Sequence, residues 1–283
     1  MEKDFVNRIC AGIVLYNPDI NRLKDNINSI IEQVDCIYMQ DNGSSNIALI
    51  EELMKNYTST ILLKNGINRG IAWALNRLCE RSLVDGYQWI ITLDQDSVCP
   101  SNMVNEFTLF LQNADMICPK IVDRNYGLLD GGDVITEYIK ECITSGCLLN
   151  LQAWKKVDGF DEAMFIDGVD FEFCYRMHRD GFKIMRVNSV VLYHEIGNIT
   201  IRRFLGMKVV VKNHSVFRKY YIAKNIIYMA RKRKSGLLLI KGVLQEIKLL
   251  GIVILYEEDK LKKIERICKG IIDGMVTQLN KED

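Results

Sequence analysis

The sequence has 283 residues, of which 48% are hydrophobic and 26% are charged, and its formal net charge is +1. This length and apolar content suit one large globular domain, or a domain with an appendage, and argue against a disordered chain. The nine cysteines are odd in number and include no Cys-x-x-Cys pair. They therefore indicate neither a zinc site nor a disulfide framework, and the expected compartment is a reducing cytosol.

Strand-length apolar runs alternate with helical patterns through most of the chain before residue 200. The runs occupy residues 9–16, 36–40, 60–63, 88–93 and 115–118. Leucine and isoleucine at helical spacing predict helices over residues 20–33 and 71–83. Continuous apolar strands separated by helices predict an α/β fold, with a mostly parallel, Rossmann-like sheet covered by helices on both faces.

Polar, turn-forming residues follow four of these strands in succession. They are Asn17-Pro18-Asp19, Asp41 to Ser45, Asn65 to Gly70 and Asp94-Gln95-Asp96. Ligands of parallel sheets bind outside the carboxyl ends of the strands, so the clusters predict a binding site at that edge. Asp94 and Asp96 offer hard oxygen ligands for a divalent cation, although an Asp-Ser-Pro sequence could also simply end a strand.

Two common nucleotide-binding patterns are missing from the sequence. Neither a G-x-x-x-x-G-K-[ST] loop nor a G-x-G-x-x-G segment after the first strand occurs. Kinase-like and dinucleotide-binding proteins are therefore poor interpretations.

A further helix and strand are predicted before a change in sequence character near residue 200. The helix begins near Asp170, pairs Glu172 with Arg176 at i,i+4, and ends before Gly181. The strand covers residues 183–193. We place a boundary between a catalytic domain, residues 1–200, and a basic helical region, residues 201–283.

The C-terminal region is strongly basic. Residues 202–248 contain thirteen Lys and Arg residues and one acid, a net charge of +12. This asymmetry suggests contact with an anionic membrane surface or another polyanion, whereas a solvated helical face or packing within the protein is the alternative. Three charged residues interrupt the apolar stretch 237–256, so a membrane-spanning helix is not expected. The N-terminus also lacks the apolar run of a signal peptide.

Seven short motifs occur in the order in which a known enzyme family has them. They are IVLYNP (13–18), QDNGSS (40–45), NRGIAWALN (68–76), LDQDS (93–97), TSGCLLNLQAWKKVDGFDE (144–162), FIDGVDFEFCYR (165–176) and LYHEIG (192–197). The chain resembles glycosyltransferase family 2, whose members are inverting enzymes with the GT-A fold, and within it the bacterial rhamnosyltransferases.

The resemblance implies a substrate class and a cellular place. The donor would be a nucleotide-diphosphate sugar, most simply dTDP-L-rhamnose, and the acceptor a saccharide or lipid-linked glycan. The family builds bacterial surface polysaccharides at the cytoplasmic face of the membrane, so a peripheral location there is expected. No nucleic-acid partner is expected.

The resemblance also implies roles for the residues at the strand ends. Asp41 would accept the N3–H of a uracil or thymine ring, with an Asx turn as the alternative. The Asn68-Arg69-Gly70 loop would bind the donor phosphates before a helix. Asp94 would face the nucleotide sugar, and Asp96 would ligate Mg²⁺ or Mn²⁺. His194 would contact the metal or the diphosphate, with a structural role as the alternative.

The catalytic base is assigned by the same comparison of motifs. Many family members have Glu-Asp where this chain has Val169-Asp170, and the rhamnosyltransferase-like subgroup resembles the Val-Asp form. Asp170 thus inherits the base role, and Asp167 is the next acid to test. Both acids are predicted at or near the start of a helix, where the dipole favours an ionised carboxylate.

Three other functions remain open on the sequence. A family 2 enzyme could use another donor, such as a UDP-hexose or a galactofuranose nucleotide. A haloacid-dehalogenase-like phosphatase also has a D-x-D pair after a strand, but there the strand is an early one, whereas three βα units precede Asp94. A non-enzymatic membrane-binding module is the third alternative.

Overall fold

A computed structural model describes residues 7–123, 127–130, 134–194, 200–204 and 206–279. The chain forms two compact units. The first comprises Met1–Glu162 and Val169–Glu195, and the second comprises Ala163–Gly168 and Ile196–Asp283.

The first unit is built on a nine-stranded sheet with the order β3-β2-β1-β4-β8-β5-β9-β7, in which β6 also pairs with β5. The strands are β1 (Ile9–Leu15), β2 (Ile37–Asp41), β3 (Thr60–Lys64), β4 (Trp89–Asp94), β5 (Met116–Asp123), β6 (Gly127–Asp130), β7 (Thr136–Tyr138), β8 (Cys147–Asn150) and β9 (Ile184–His194). Strands β1 to β4 run parallel, as do β5 and β9, whereas β8 is antiparallel to both β4 and β5. The mostly parallel sheet predicted from the sequence is confirmed.

In the first unit a helix follows each of β1 to β4, and two helices follow β8. They are α1 (Ile20–Ile30), α2 (Ile47–Met54), α3 (Ile71–Val84), α4 (Met103–Thr108), α5 (Leu151–Lys156) and α6 (Val169–Arg179), with a 3-10 turn at Ile31–Gln33. Asp19 caps α1 by accepting hydrogen bonds from the N–H groups of Asn21 and Arg22, at 2.9 and 3.0 Å. The helix then buries Leu23, Ile27 and Ile30.

The central strands are apolar along their length because both of their faces are covered. Almost every residue of β1 and β4 is buried. At Gly12 an added Cβ would lie 2.8 Å from Ile90 Cδ1 and 3.3 Å from Leu78 of α3. A glycine at this position therefore lets α3 pack closely on the sheet.

The second unit contains a hairpin and three helices. The hairpin joins β10 (Thr200–Phe204) to β11 (Met207–Val211), and the helices are α7 (Val216–Lys232), α8 (Gly236–Tyr256) and α9 (Lys260–Val276). The sequence pattern gave no sign of the hairpin, because its strands are mostly exposed and carry no core-forming alternation. Within the described ranges no helix is long and apolar enough to span a membrane.

Part of the basic charge of the second unit is buried. Lys219 and Lys263 donate to the carboxylate of Glu257 at 2.6 and 2.8 Å, and all three side chains are almost inaccessible. Glu246 is 2% exposed, and its burial raises the pKa of the carboxyl from 4.5 to about 7, against the opposing charge of Lys219. The basic stretch is thus not one uniform solvated face.

Candidate active site

The loop after β3 is fastened to the end of β2 by the side chain of Asn42, which is 3% exposed. This side chain makes four hydrogen bonds, all to the 65–70 loop. The amide nitrogen donates to Asn68 Oδ1 (3.0 Å) and Gly70 O (3.1 Å), and the amide oxygen accepts from Arg69 N (3.0 Å) and Asn65 Nδ2 (3.2 Å). One buried amide therefore sets the position of the predicted phosphate loop.

Asp41 ends β2 and is 2% exposed. Its carboxylate accepts hydrogen bonds from the N–H groups of Gly43 at 3.0 Å and Ser44 at 3.2 Å, which is the Asx-turn arrangement considered in the sequence analysis. Gly43 has φ +85°, and a Cβ there would lie 2.7 Å from the carbonyl carbon of Ile67. The turn and the 65–70 loop therefore approach so closely that only glycine fits.

The loop ends at the N-terminus of α3. Gly70 occupies the N-cap position with φ +90°, a conformation that glycine adopts readily. Asn68 Oδ1 accepts from Gly70 N at 2.9 Å, and the guanidinium of Arg69 lies 5.2 Å from the centre of the Trp73 ring. The free N–H groups of a helix start and a nearby guanidinium together favour an anionic ligand.

The turn after β4 is held from both sides. The N–H of Asp94 donates to Ser145 Oγ at 3.2 Å, and its carbonyl accepts from Asn26 Nδ2 at 2.7 Å. Gln95 Oε1 accepts from the N–H of Tyr16 at 2.8 Å, which links this turn to the end of β1. The backbone that carries the two carboxylates is therefore fixed by neighbouring elements.

Asp94 and Asp96 are both half-buried at this edge. The nearest approach between Asp96 and Arg22 of α1 is 3.8 Å, between a carboxylate oxygen and Nη1. Two carboxylates at the end of a strand are the oxygen donors that Mg²⁺ and Mn²⁺ take, so the residues present fit such a cation. His194, the other predicted ligand, ends β9, and its side chain lies outside the described part of the structure.

Asp170 lies in the first turn of α6, and the rest of this helix is firmly packed. Phe173 stacks on Phe160 with ring centres 4.2 Å apart. Arg176 and Glu172 form the predicted i,i+4 pair, fully buried, with nitrogen–oxygen distances of 2.8 and 2.7 Å, and Arg176 also donates to the carbonyl of Val157. The packed helix holds the first turn, and with it the backbone of Asp170, in place.

Asp167 belongs to the second unit and has a different environment. Its backbone is left-handed, with φ +67°. Arg218 of α7 binds its carboxylate through two nitrogens, Nε at 3.1 Å and Nη2 more closely, and the pairing raises the pKa of Arg218. Asn225 Nδ2 also donates to the carbonyl of Asp167 at 2.7 Å. Both carboxylate oxygens of Asp167 are therefore occupied by the Arg218 guanidinium.

The sequence profile of glycosyl transferase family 2 matches residues 10–168, more than half of the chain. The chain belongs to glycosyl transferase family 2. It is a glycosyltransferase, as the motif resemblance implied.

A relative of this family 2 enzyme is the dTDP-rhamnosyl transferase RfbF of Shigella flexneri, which is 26% identical over 288 residues that span 95% of this chain and 96% of the relative. The fold is shared with S. aureus TarS 1-349, with a TM-score of 0.62 at 12% identity, covering 94% of this chain and 80% of that one. It is also shared with GalNAc-T7, crystallised with UDP, GalNAc and Mn²⁺, with a TM-score of 0.60 at 14% identity, covering 96% and 56%. The predicted GT-A fold is confirmed.

The residues that the sequence analysis missed in this family 2 enzyme are the polar groups that position the site. Asn42 and Gln95 lie inside the quoted motifs, but they were interpreted there only as neighbours of aspartates. Ser145, in the TSG segment, supports Asp94 from a position 51 residues away. The sequence signal for Asn42 and Gln95 was an uncharged polar side chain directly after a strand-end aspartate. Ser145 had no such signal, because only the tertiary contact brings it to Asp94.

Proposed function

We propose that this glycosyltransferase moves L-rhamnose from dTDP-L-rhamnose to a saccharide or lipid-linked glycan acceptor, with inversion, in bacterial surface polysaccharide synthesis. The observation that carries the choice of donor is the relative named dTDP-rhamnosyl transferase, which aligns with 95% of this chain. The strand-edge arrangement of Asp41, the 65–70 loop and the Asp94/Asp96 pair supports a nucleotide-diphosphate sugar as the ligand.

The proposed donor site uses the groups at the ends of β2, β3 and β4. Asp41 accepts the N3–H of the pyrimidine ring with oxygen capacity left over from its two turn hydrogen bonds. The diphosphate lies at Asn68, Arg69 and Gly70, before the N-terminus of α3. Because Asn42 fixes this loop beforehand, little binding energy is spent on ordering it.

The proposed metal ligands are Asp96 and His194. Asp94, beside Asp96, is proposed to face the nucleotide sugar. Asp96 and His194 would hold Mg²⁺ or Mn²⁺, which would supply positive charge to balance the negative charge on the leaving diphosphate. The Mn²⁺ in the GalNAc-T7 structure, which shares the fold, supports a divalent cation in this role. Gln95 and Ser145 hold the backbone of the turn that carries the two carboxylates.

The proposed base is Asp170. Its carboxylate takes the proton of the acceptor hydroxyl as that oxygen bonds to the anomeric carbon, while the bond to the diphosphate breaks and its electron pair leaves with the nucleotide. Asp167 is the weaker candidate because Arg218 grips both of its oxygens. The packed body of α6 favours Asp170 for a second reason, since a base must be held in place to act.

A membrane surface is the proposed location, and α8 is the element that we assign to it. One side of α8 exposes Leu237, Ile240, Leu244, Ile247 and Ile254, each to half or more of its full area. The spacing of three, four, three and seven residues forms a stripe, and the exposed Lys241 and Lys248 lie beside it. An apolar stripe flanked by lysines suits a helix that lies in the interface of an anionic bilayer.

The segment 218–234 of the basic stretch 202–248, which the sequence analysis connected with an anionic membrane surface, forms most of α7. Lys219, Asn225 and Lys232 of this helix are buried, and α7 packs along α9. Part of the positive charge of α7 is therefore buried within the second unit. The membrane proposal therefore moves to α8, with residues such as Lys234 adding basic charge.

A panel of nucleotide sugars tests the donor. The protein is incubated with Mg²⁺ or Mn²⁺ and dTDP-L-rhamnose, a UDP-hexose or UDP-galactofuranose, and both nucleotide release and donor affinity are measured. We expect dTDP-L-rhamnose to bind most tightly and to turn over. Preference for a UDP sugar would show that the enzyme uses the alternative donor of family 2 and not dTDP-L-rhamnose. Absence of binding across the panel would contradict the proposed donor site.

Vesicle sedimentation tests the location. We expect binding to anionic vesicles, release by salt, and loss of binding in Leu244→Glu. The matched control is Val84→Glu, which adds the same charge at an exposed apolar residue of the first unit. Equal binding of both variants, or equal binding of the wild type to neutral and anionic vesicles, would contradict the assignment of α8.

A further inference from the structure

Four buried cysteines from separate segments converge in the first unit. They are Cys118 in β5, Cys142 before β8, Cys147 at the start of β8 and Cys174 in α6. The sulfur atoms of Cys118, Cys142 and Cys147 all lie within 4.8 Å of one another. Cys142 Sγ is 3.7 Å from Cys147 Sγ and 4.0 Å from Cys174 Sγ.

These distances resemble the edges of a zinc–thiolate tetrahedron. Four sulfur atoms at the usual Zn–S bond length stand about 3.8 Å apart. Both measured distances from Cys142 are close to that value, and the trio of Cys118, Cys142 and Cys147 already surrounds a common point. Cys174 Sγ lies 4.0 Å from Cys142 Sγ, and we assign it as the fourth ligand on the basis of this contact.

Two other roles for the cluster fit less well. A nucleophilic thiol needs access and an ionised sulfur, but all four side chains are buried. Apolar packing explains single buried cysteines such as Cys99, yet it gives no reason for four to meet.

We propose that Cys118, Cys142, Cys147 and Cys174 bind one Zn²⁺ ion as a structural site. Each thiol that binds loses its proton to solvent as folding closes the site. Thiolates select a soft ion, so this site is chemically distinct from the carboxylate edge, which takes Mg²⁺ or Mn²⁺. The spacing of the cysteines in the sequence did not indicate it, because the ligands come from segments up to 56 residues apart.

The site would tie α6 to the sheet. Cys174 lies one helical turn after Asp170, while Cys118 and Cys147 lie in adjacent antiparallel strands of the sheet. A bound ion would therefore fix the helix that carries the proposed base. Only this consequence rests on the proposed function, because the metal site itself is independent of sugar transfer.

The first measurement is the metal content of the purified full-length chain by mass spectrometry. We expect about one zinc ion per chain for a closed four-ligand site, and loss of that zinc in Cys142→Ser. The matched control is Cys268→Ser, which changes the exposed cysteine of α9 and should keep the zinc. Equal zinc in both variants would overturn the assignment.

The second measurement avoids dependence on a variant that fails to fold. Wild-type protein is refolded from denaturant with either Zn²⁺ or a chelator, and its Tm and its reactive thiols are measured. We expect a higher Tm and protection of the cluster thiols with Zn²⁺. A wild type without zinc, with the same Tm in both solutions, would overturn the proposal and leave the cluster as apolar packing, and so would a disulfide within the cluster.

Discussion

Replacing Asn42 by alanine tests whether the fixed 65–70 loop serves donor binding. The change removes four hydrogen bonds of 3.0 to 3.2 Å made by a side chain that is 3% exposed. At about 1 kcal/mol each the upper bound is roughly 4 kcal/mol. Arg69 is exposed and Asn65 partly so, so water replaces some of the loss, and we expect about 2 to 3 kcal/mol in the free energy of unfolding.

The same variant should weaken nucleotide binding. A loop that must be ordered on binding spends interaction energy, so we expect the Kd for dTDP to rise by about 10-fold or more, or ~1.4 kcal/mol. Calorimetry with dTDP and denaturant unfolding measure the two effects separately. The control is Asn65→Ala, which removes one of the four hydrogen bonds and should change stability by no more than about 1 kcal/mol. Unchanged dTDP affinity in a destabilised Asn42→Ala variant would refute a role of this loop in the donor site.

Three further predictions address metal, base and pH. Asp96→Ala should lower divalent-dependent donor turnover by about 10²-fold or more, and full turnover in EDTA would contradict this. Asp170→Asn should lower kcat by roughly 10² to 10⁴-fold with dTDP affinity unchanged. Because Asn keeps the size and polarity of the side chain, wild-type turnover would pass the base role to Asp167. Glu246 has a pKa raised to about 7, so the folded state holds its proton more tightly and the protein loses stability as pH rises from 4.5 to 7. Denaturation of Glu246→Gln and wild type should therefore diverge by up to about 3 kcal/mol over that range, whereas a constant difference would show that the carboxyl is not perturbed.

The part of the fold that the sequence predicted is the part set by local periodicity. Strands β1 to β4 are long apolar runs, and their ends coincide with the polar clusters that marked the binding edge. Strand β8 escaped prediction because it has four residues, too few to show a period, and it reverses the direction of the sheet between β4 and β5. No local pattern encodes that reversal.

The candidate site likewise has a part that the sequence predicted and a part that it did not. Acidic residues that follow apolar strands can be recognised in a sequence, so Asp41, Asp94 and Asp96 could be selected as candidate site residues. Their roles stay predictions. The hydrogen bonds of Asn42 and the pairing of Asp167 with Arg218 depend on residues 23 to 51 positions apart, which periodicity cannot bring together. The cysteine cluster was missed for the same reason.

The most direct test of the account follows the donor by proton NMR during turnover with Mg²⁺ or Mn²⁺ and a saccharide acceptor. We expect the anomeric signal of dTDP-L-rhamnose to disappear while free dTDP and a glycoside of opposite anomeric configuration form, and we expect Asp170→Asn to slow both changes together. A product that retains the donor's configuration, or release of inorganic phosphate from a simple phosphomonoester with the nucleotide sugars left intact, would contradict it.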